Sequence, residues 1–332
     1  MYSNSQTALP AEWPAWPVYG LVDDILPTMR EWSAKHSQAA LATLVSIQGS
    51  SPRPLGSEMA IAADGAVVGY VSGGCVEATV AAEAQSVLAD GRPKLLDYGA
   101  GSPVLDVQLT CGGRIGILVT RIADLAQWVA QRDTARRMRH ELFVDTDFAS
   151  GETDAHAGTQ TFGFTRGFRQ HYLPPTRLML VGSDPVTLAI GELAGAMDYE
   201  VGLIRPYGPS APPPRITLCH YDTRPLRAAL TDLPIDSCSA LYSLTHDMDD
   251  DQLVLEHGLR STAFRVGVLG SRRKADERLA QLKAEGFDEN ALTRLNMPAG
   301  QSIGAANPRQ IALSILADVT AHRPRSRPET MA

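Results

Sequence analysis

Residues 177–204 read RLMLVGSDPVTLAIGELAGAMDYEVGLI, and this stretch decides the fold class. Two short apolar runs, 177–181 and 200–204, have the composition of buried strands. Between them, 182–185 has the composition of a turn and 186–197 that of a helix. A strand, a helix and a second strand within about 30 residues predict a βαβ unit with parallel strands.

The rest of the C-terminal half continues this alternation. Apolar runs at 239–244 and 264–269 alternate with helical stretches, and the last strong helix is predicted at 308–322. Such alternation is typical of a parallel sheet covered by helices. We therefore predict a Rossmann-like domain over 177–322, followed by a basic, frayed tail at 323–332.

The N-terminal half has a different pattern. A β-rich run at 40–47 precedes two more, 57–62 and 67–71, which flank an Asp-Gly turn and so predict a hairpin. A helix over 76–88 and a strand over 114–119 complete a mixed α/β domain at 1–150. The segment 145–161 is polar and rich in Gly, Ser and Asp, which indicates an exposed connection or an irregular insertion, and we place a linker at 151–176. The predicted fold class is therefore α/β, with two domains.

Composition excludes several classes of protein. The chain has 332 residues, of which 44% are hydrophobic and 20% charged, and a net charge of -7. These values argue against a disordered chain and against a broadly basic nucleic-acid binder. Four cysteines are too few for a disulfide scaffold of this size. The N-terminus lacks the apolar core of a signal peptide and no apolar run could span a bilayer, so we expect a cytoplasmic protein that binds neither membrane nor nucleic acid.

Two loops, 72–75 and 110–113, each place a cysteine beside two glycines. Glycine lets the backbone approach a ligand closely, and a thiolate is favoured near a helix N-terminus, where Cys75 is expected. Cys75 and Cys111 are thus candidate ligand-binding thiols, although both could equally be small buried residues at tight turns. Cys219 and Cys238 are interpreted as small structural residues.

Two further loops could bind an anion. The loop 49–53 combines two hydroxyls, backbone amides and Arg53, while 270–274 follows a strand, opens a helix and carries three cations. The alternatives are an ordinary polar turn for the first loop and a solvated surface for the second.

The position of a dinucleotide fingerprint is occupied by 182–187, but only its first glycine is kept. Asp184 stands where the backbone would meet a pyrophosphate, and Arg205 stands where an acid would bind a ribose. We therefore do not expect ordinary NAD(P) binding. His246 follows the 239–244 strand and could act as an acid, a base or a ligand, or else 245–247 could cap the next helix.

Taken together, these motifs resemble a known family. The loops 49–53, 72–77 and 111–113 look like the N-terminal domain of xanthine dehydrogenase accessory proteins, the XdhC/CoxI family. The segments 245–247, 270–274 and 304–317 look like its C-terminal Rossmann-type domain. The resemblance covers about residues 20–322, and the motifs follow the order seen in the family.

The resemblance implies a maturation chaperone rather than an enzyme. Such proteins bind molybdenum cofactor, as molybdopterin or its cytosine dinucleotide, and support its sulfuration with a cysteine desulfurase. They then insert it into a client molybdenum hydroxylase of the xanthine or aldehyde oxidase type, and the family suggests a homodimer. Alternatives of other classes are an NAD(P)-dependent oxidoreductase using the Rossmann-like domain and a redox sensor in which Cys75 and Cys111 form a disulfide.

Cys75 or Cys111 could contact molybdenum through sulfur, a soft ligand that suits this metal. The predicted cofactor-binding residues are Ser50, Ser51, Arg53, Ser72, Gly73, Gly74, Cys75, Glu77, Cys111, Gly112, Gly113, Gly270, Ser271, Arg272, Arg273 and Lys274, with His246 and Asp247 as further candidates.

Overall fold

The chain divides into two compact units. The computed structural model describes residues 14, 16–99, 101, 112–158 and 160–331, without the side chain of Arg272. Unit 1 contains the residues up to Leu173 together with those from Ser326 onward, and unit 2 is Pro174–Arg325. Within the described ranges, no helix is both long enough and apolar enough to cross a membrane.

Unit 1 is built on a five-stranded antiparallel sheet with the order β3-β2-β1-β5-β4. Its strands are β1 (Ala39–Gln48), β2 (Glu58–Ala62), β3 (Val67–Gly69), β4 (Lys94–Gly99) and β5 (Arg114–Ile122). The helices are α1 (Leu26–Ser33), α2 (Glu77–Asp90) and α3 (Leu125–Met138), and a 3-10 helix spans Val18–Leu21.

The central strand β1 is buried on both faces. Ala40, Ala42 and Leu44 pack into one core with α2, whereas Ala39 and Leu41 pack into a second core with α1 and α3. The two-residue period of a strand sends alternate side chains to opposite faces, so an uninterrupted apolar run fits this position. The predicted hairpin and mixed α/β unit are confirmed.

A second sheet of unit 1 contradicts two of the predicted boundaries. It has the order β15-β8-β6-β7, with β6 (Leu142–Asp147), β7 (Thr153–His156), β8 (Gly167–Tyr172) and β15 (Glu329–Met331). The predicted linker at 151–176 thus contains two strands, and the predicted frayed tail contains a third. The polar composition of these strands did not indicate a sheet, because buried polar pairs replace apolar contacts in it. Arg169 and Asp145 form one such pair, in which Nε and Nη2 of Arg169 each lie 2.6 Å from a carboxylate oxygen of Asp145.

Unit 2 is a parallel six-stranded sheet of order β11-β10-β9-β12-β13-β14. The strands are β9 (Arg177–Gly182), β10 (Glu200–Ile204), β11 (His220–Asp222), β12 (Ser239–Leu244), β13 (Arg265–Val268) and β14 (Leu295–Asn296). The helices are α4 (Pro185–Gly195), α5 (Leu226–Thr231), α6 (Met248–Arg260), α7 (Arg272–Ala284), α8 (Glu289–Leu292) and α9 (Pro308–His322). The Rossmann-like prediction is confirmed, and the strand order reverses between β9 and β12, where such folds place their ligands.

Candidate functional site

Three of the predicted loops emerge at one edge of the first sheet of unit 1. Gln48, the last residue of β1, pairs with Arg114, the first residue of β5. Because β3 runs parallel to β1, the chain also leaves β3 at this edge. The 49–57 loop, the 70–76 loop and residues 112–113 therefore share this position, which we call the three-loop edge.

Close backbone approaches hold the three loops together. A Cβ atom on Gly113 would lie 2.0 Å from the carbonyl oxygen of Ser50, so only glycine fits there. A Cβ atom on Gly73 would lie 3.4 Å from Cγ of Pro52. The 49–57 loop thus touches both cysteine-bearing segments. Cys111 lies outside the described residues, and its role stays a prediction.

Glu77 fixes the conformation of the 70–76 loop from within. Its carboxylate is fully buried and accepts hydrogen bonds from the Ser72 N–H at 2.7 Å and the Val76 N–H at 3.2 Å. The Ser72 hydroxyl donates to the same carboxylate, at 2.9 and 2.7 Å from its two oxygens. Burial and, secondly, the negative charge of Glu77 raise the pKa of Tyr19. Glu77 was predicted to bind cofactor, but its enclosed carboxylate supports the loop instead.

Cys75 is exposed at the surface of the three-loop edge. It precedes α2 instead of lying inside its first turn, since Val76 is the N-cap and the helix begins at Glu77. Gly74 has a φ of +97° and Gly112 a φ of +70°, and a Cβ atom on either glycine would meet no atom of the described residues within 4 Å. Cys75 is therefore preceded by two exposed glycines, whose backbone a large ligand could approach closely.

The two arginines at this edge are already paired within the chain. Arg53 lies 2.7 Å from Asp23, donates to the Tyr70 hydroxyl at 3.0 Å and stacks 4.0 Å from the centre of the Tyr70 ring. Arg114 donates to Asp97 at 2.8 Å, and this hydrogen bond lowers the pKa of the Asp97 carboxyl. Arg53 was predicted to bind an anion, yet only 14% of its side chain is exposed. The contacts of Arg53 with Asp23 and Tyr70 hold its side chain within the protein, where it supports the loop.

In unit 2, Asp184 occupies the helix terminus where a dinucleotide would bind. It is the N-cap of α4, and its Oδ1 accepts from the Thr187 N–H at 2.8 Å and the Thr187 hydroxyl at 2.6 Å. Its Oδ2 lies 3.0 Å from Nε2 of His246. The candidate residue His246 therefore meets Asp184, the residue that argues against dinucleotide binding, at the point where the strand order reverses. The chain's own carboxylate thus takes the Thr187 N–H, one of the helix amides that a pyrophosphate would use.

The helices α6 and α7, which follow two neighbouring loops of unit 2, are also capped by side chains of the chain itself. Asp247 accepts from the N–H groups of Asp249 at 2.9 Å and Asp250 at 3.0 Å, which confirms the capping alternative for 245–247. Ser271 caps α7 through the Lys274 N–H at 3.4 Å. The Arg273 side chain is 85% exposed near this helix start, and its Nε lies 3.9 Å from the carboxylate of Glu277 one turn further along the helix.

A buried ion pair beneath the 270–274 loop could not be seen in the sequence. Arg278 contacts Asp251, and both side chains are almost fully buried. Asp251 also accepts from Ser243 at 2.7 Å and Thr245 at 2.8 Å. A Cβ atom on Gly270 would lie 3.0 Å from Nη1 of Arg278, so glycine at this position is the only available signal of the pair.

The remaining two cysteines differ from each other. Cys238 is buried and its N–H donates to Asp236 at 2.9 Å, in line with a small structural residue. Cys219 is exposed, which does not fit the small hydrophobic packing role that the sequence suggested for it. It precedes the edge strand β11, where one side of the chain faces solvent.

Two family models match the chain. Residues 178–319 match the XdhC Rossmann domain, and residues 32–99 match the XdhC and CoxI family. The crystal structure of a protein named xanthine dehydrogenase from Bacillus halodurans superposes with a TM-score of 0.73 at 20% identity, covering 90% of this chain and 95% of that one. That likeness supports the fold alone.

Curated relatives extend the similarity over most of the chain. The molybdenum cofactor insertion chaperone PaoD of Escherichia coli is 32% identical over 289 residues, which cover 86% of this chain and 83% of PaoD. A Bacillus subtilis protein named as a probable xanthine dehydrogenase component is 23% identical over 87% of this chain and 94% of its own. On these matches, the chain belongs to the XdhC and CoxI family.

Proposed function

We propose that this protein binds molybdenum cofactor at the three-loop edge and acts as an insertion chaperone. The name of the 32% identical relative from Escherichia coli supports this role. In this proposal the cofactor is cargo that the protein must release again. An exposed site suits such cargo better than an enclosed pocket does.

The observation that carries the proposal is the exposed Cys75 beside open glycine backbone. Molybdenum cofactor combines a soft metal–sulfur centre with a phosphate. A thiolate suits the first of these, and backbone N–H groups and hydroxyls suit the second. We propose that Cys75, together with Cys111, contacts the metal or its sulfido group. The phosphate is assigned to the loop amides and to the hydroxyl of Ser50, because Arg53 is already paired with Asp23.

The proposal has finer parts that come from the family resemblance. We propose that a cysteine desulfurase supplies the sulfur for cofactor sulfuration while the chaperone holds it. The client would be a molybdenum hydroxylase of the xanthine or aldehyde oxidase type. We further propose a homodimer acting in the cytoplasm, with either molybdopterin or its cytosine dinucleotide as the bound form. In unit 2, the exposed Arg273 is the residue we would test first for a phosphate contact.

The test is anaerobic purification from a host that makes the cofactor, followed by molybdenum and pterin analysis. Wild-type protein should contain both in a fixed ratio to chain. Cys75→Ser and Cys111→Ser should each weaken retention about tenfold or more, as is usual when a metal-site contact is lost. Cys219→Ser is the matched control, because Cys219 is also exposed but lies in unit 2.

Three results would contradict the proposal. Wild-type protein without pterin under these conditions would remove cofactor binding altogether. Equal losses in Cys75→Ser and Cys219→Ser would show that the cysteine changes act nonspecifically. Full retention in both Cys75→Ser and Cys111→Ser would move the binding site away from the three-loop edge. Addition of cofactor-free client to loaded protein then tests transfer, which should restore client activity in proportion to the pterin supplied.

A further inference from the structure

Residues 326–331, which we call the C-terminal strap, return to unit 1 at the end of the chain. Within the strap, β15 pairs antiparallel with β8, placing Glu329 opposite Arg169 and Met331 opposite Gly167. The Thr330 hydroxyl donates to the carbonyl of Val45 in β1. The strap therefore joins the second sheet of unit 1 to the strand from which the 49–57 loop leaves.

The strap also contacts the far end of that loop. At Gly56, where φ is +81°, a Cβ atom would lie 2.8 Å from Cγ of Pro328 and 2.5 Å from Oε1 of Gln170. The Gln170 side-chain amide donates to the Gly56 carbonyl at 2.7 Å, and the Gly56 N–H donates to the Leu44 carbonyl at 2.8 Å. Gly56 is thus enclosed between β1, β8 and the strap.

A buried histidine fastens the beginning of the strap. Nδ1 of His171 lies 3.1 Å from the N–H of Arg327, and the Ser326 hydroxyl donates to the His171 carbonyl. Because Nδ1 accepts a hydrogen bond, the ring proton lies on Nε2, which donates to Glu141 at 3.1 Å. The ring stacks on Phe143 with 4.3 Å between centres, so its orientation is fixed from a second side.

We propose that the C-terminal strap is a positioning element for the 49–57 loop. The strap holds Gly56 in place, and the same short loop presents Ser50 to Gly113 and Pro52 to Gly73. Releasing the strap frees one end of the loop and loosens the contacts that assemble the three-loop edge. The expected effect of the strap on cofactor binding rests on the proposed function. The expected effect of the strap on the 49–57 loop does not.

The test variant is His171→Phe, which keeps a ring to stack on Phe143 but removes both the acceptor for the Arg327 N–H and the donor to Glu141. Amide hydrogen exchange is measured on the full chain without cofactor, in peptides covering 49–57. Exchange there should increase about fivefold, because one part-buried hydrogen bond between His171 and the strap is lost. His156→Phe is the control: His156 also stacks on Phe143, from 5.8 Å, but its Nδ1 contacts Gly158 instead of the strap.

A milder variant covers the case in which His171→Phe fails to fold. Thr330→Val removes the hydroxyl bound to Val45 and keeps a β-branched side chain, so a smaller increase in exchange over 49–57 is expected. Unchanged exchange over 49–57 in a folded variant overturns the strap proposal. Increased exchange with a parallel loss of bound pterin supports both proposals. Increased exchange with unchanged pterin supports the strap and counts against the 49–57 loop as a cofactor site.

Discussion

The two units contain similar ingredients at their candidate sites and arrange them in opposite ways. Each has a glycine-containing loop that leads from a strand into a helix, and each has a carboxylate at that helix start. In unit 1 the carboxylate of Glu77 is buried beneath its loop and binds the loop's own N–H groups. In unit 2 the carboxylate of Asp184 lies at the carboxyl end of β9, where such folds place their ligands, and it caps the first turn of α4.

This difference shows that the direction of one carboxylate decides whether a glycine loop is open to an anionic ligand. Glu77 organises its loop from behind, so Gly73, Gly74 and Cys75 all remain exposed. Asp184 and His246 instead fill the crevice between the ends of β9 and β12 with the chain's own polar groups. Loop composition alone would make the two sites equivalent.

The largest expected effect comes from removing the supporting carboxylate in unit 1. Glu77→Ala leaves the buried N–H groups of Ser72 and Val76 and the Ser72 hydroxyl without their acceptor. We expect the free energy of unfolding of unit 1 to fall by about 3 kcal/mol. All four tryptophans, at 13, 16, 32 and 128, belong to unit 1, so tryptophan fluorescence in urea reports its unfolding selectively.

Glu83→Ala on the same helix is the matched control. Glu83 pairs with Lys94 at 2.6 Å, but both side chains are about one-third exposed. Such a pair contributes about 1 kcal/mol or less. Equal destabilisation by the two substitutions would refute the supporting role of Glu77.

The next effect concerns the backbone beside Cys75. Gly74→Ala adds a side chain in open space, but its φ of +97° is costly for any residue with a Cβ. A cost of about 1 kcal/mol in the loop should reduce pterin retention roughly fivefold. In Gly163→Ala the added atom also meets nothing within 4 Å, and no positive φ is required there. Retention that falls equally in both variants would rule out the backbone explanation.

A smaller effect is expected when the cap of unit 2 is removed. Asp184→Ala should lower the stability of unit 2 by about 1 kcal/mol, the usual value of an N-cap. It should also free the Thr187 N–H for an anion, so we expect calorimetry to detect pyrophosphate binding to the variant and none to the wild type. Asn307→Ala removes the cap of α9 in the same unit. If both variants bind pyrophosphate equally, the Asp184 carboxylate is not what closes the crevice.

How much of the fold was predictable depends on which side chains fill each core. The strand β9 and its neighbours were predictable because they are uninterrupted apolar runs buried on both faces. The strands β7, β8 and β15 were not, since their sheet is held by polar pairs such as Asp145–Arg169, which lie 24 positions apart. Composition cannot reveal a pairing partner at that distance.

The candidate site was predictable to a similar degree. Glycines beside Cys75 predicted an open loop, and the structure brings that loop to the 49–57 loop. The direction of Glu77 was not predictable, because carboxylates are almost never fully buried without a local reason. For Glu77 the reason is that the N–H groups of Ser72 and Val76 point at its carboxylate, and they take this orientation only when the sheet has formed. The ion pair of Arg53 was not predictable either, because its partner Asp23 is 30 positions away in the sequence.

The smallest effect at neutral pH is expected for Tyr98, a buried tyrosine of unit 1. Burial and, secondly, the charge of Glu83 raise the pKa of Tyr98 to about 12. Because the unfolded phenol ionises near pH 10, the folded state holds the proton more tightly. The stability linked to this proton is complete below pH 10 and is lost as the pH rises towards 12. Tyr98→Phe should therefore lose less stability than the wild type over this interval, measured by tryptophan fluorescence in urea.

Tyr242 provides the contrast in unit 2. Burial and the charge of Asp318 raise its pKa as well, but its hydroxyl donates to Asn296 and Asp318, both at 3.3 Å. Tyr242→Phe removes these donations and should cost about 1 kcal/mol already at pH 7, measured by the thermal transition of unit 2. Tyr98→Phe should be neutral there, because its ring is enclosed by apolar side chains. Equal costs at pH 7 would mean that burial alone, and not the hydrogen-bonded network of unit 2, governs both tyrosines.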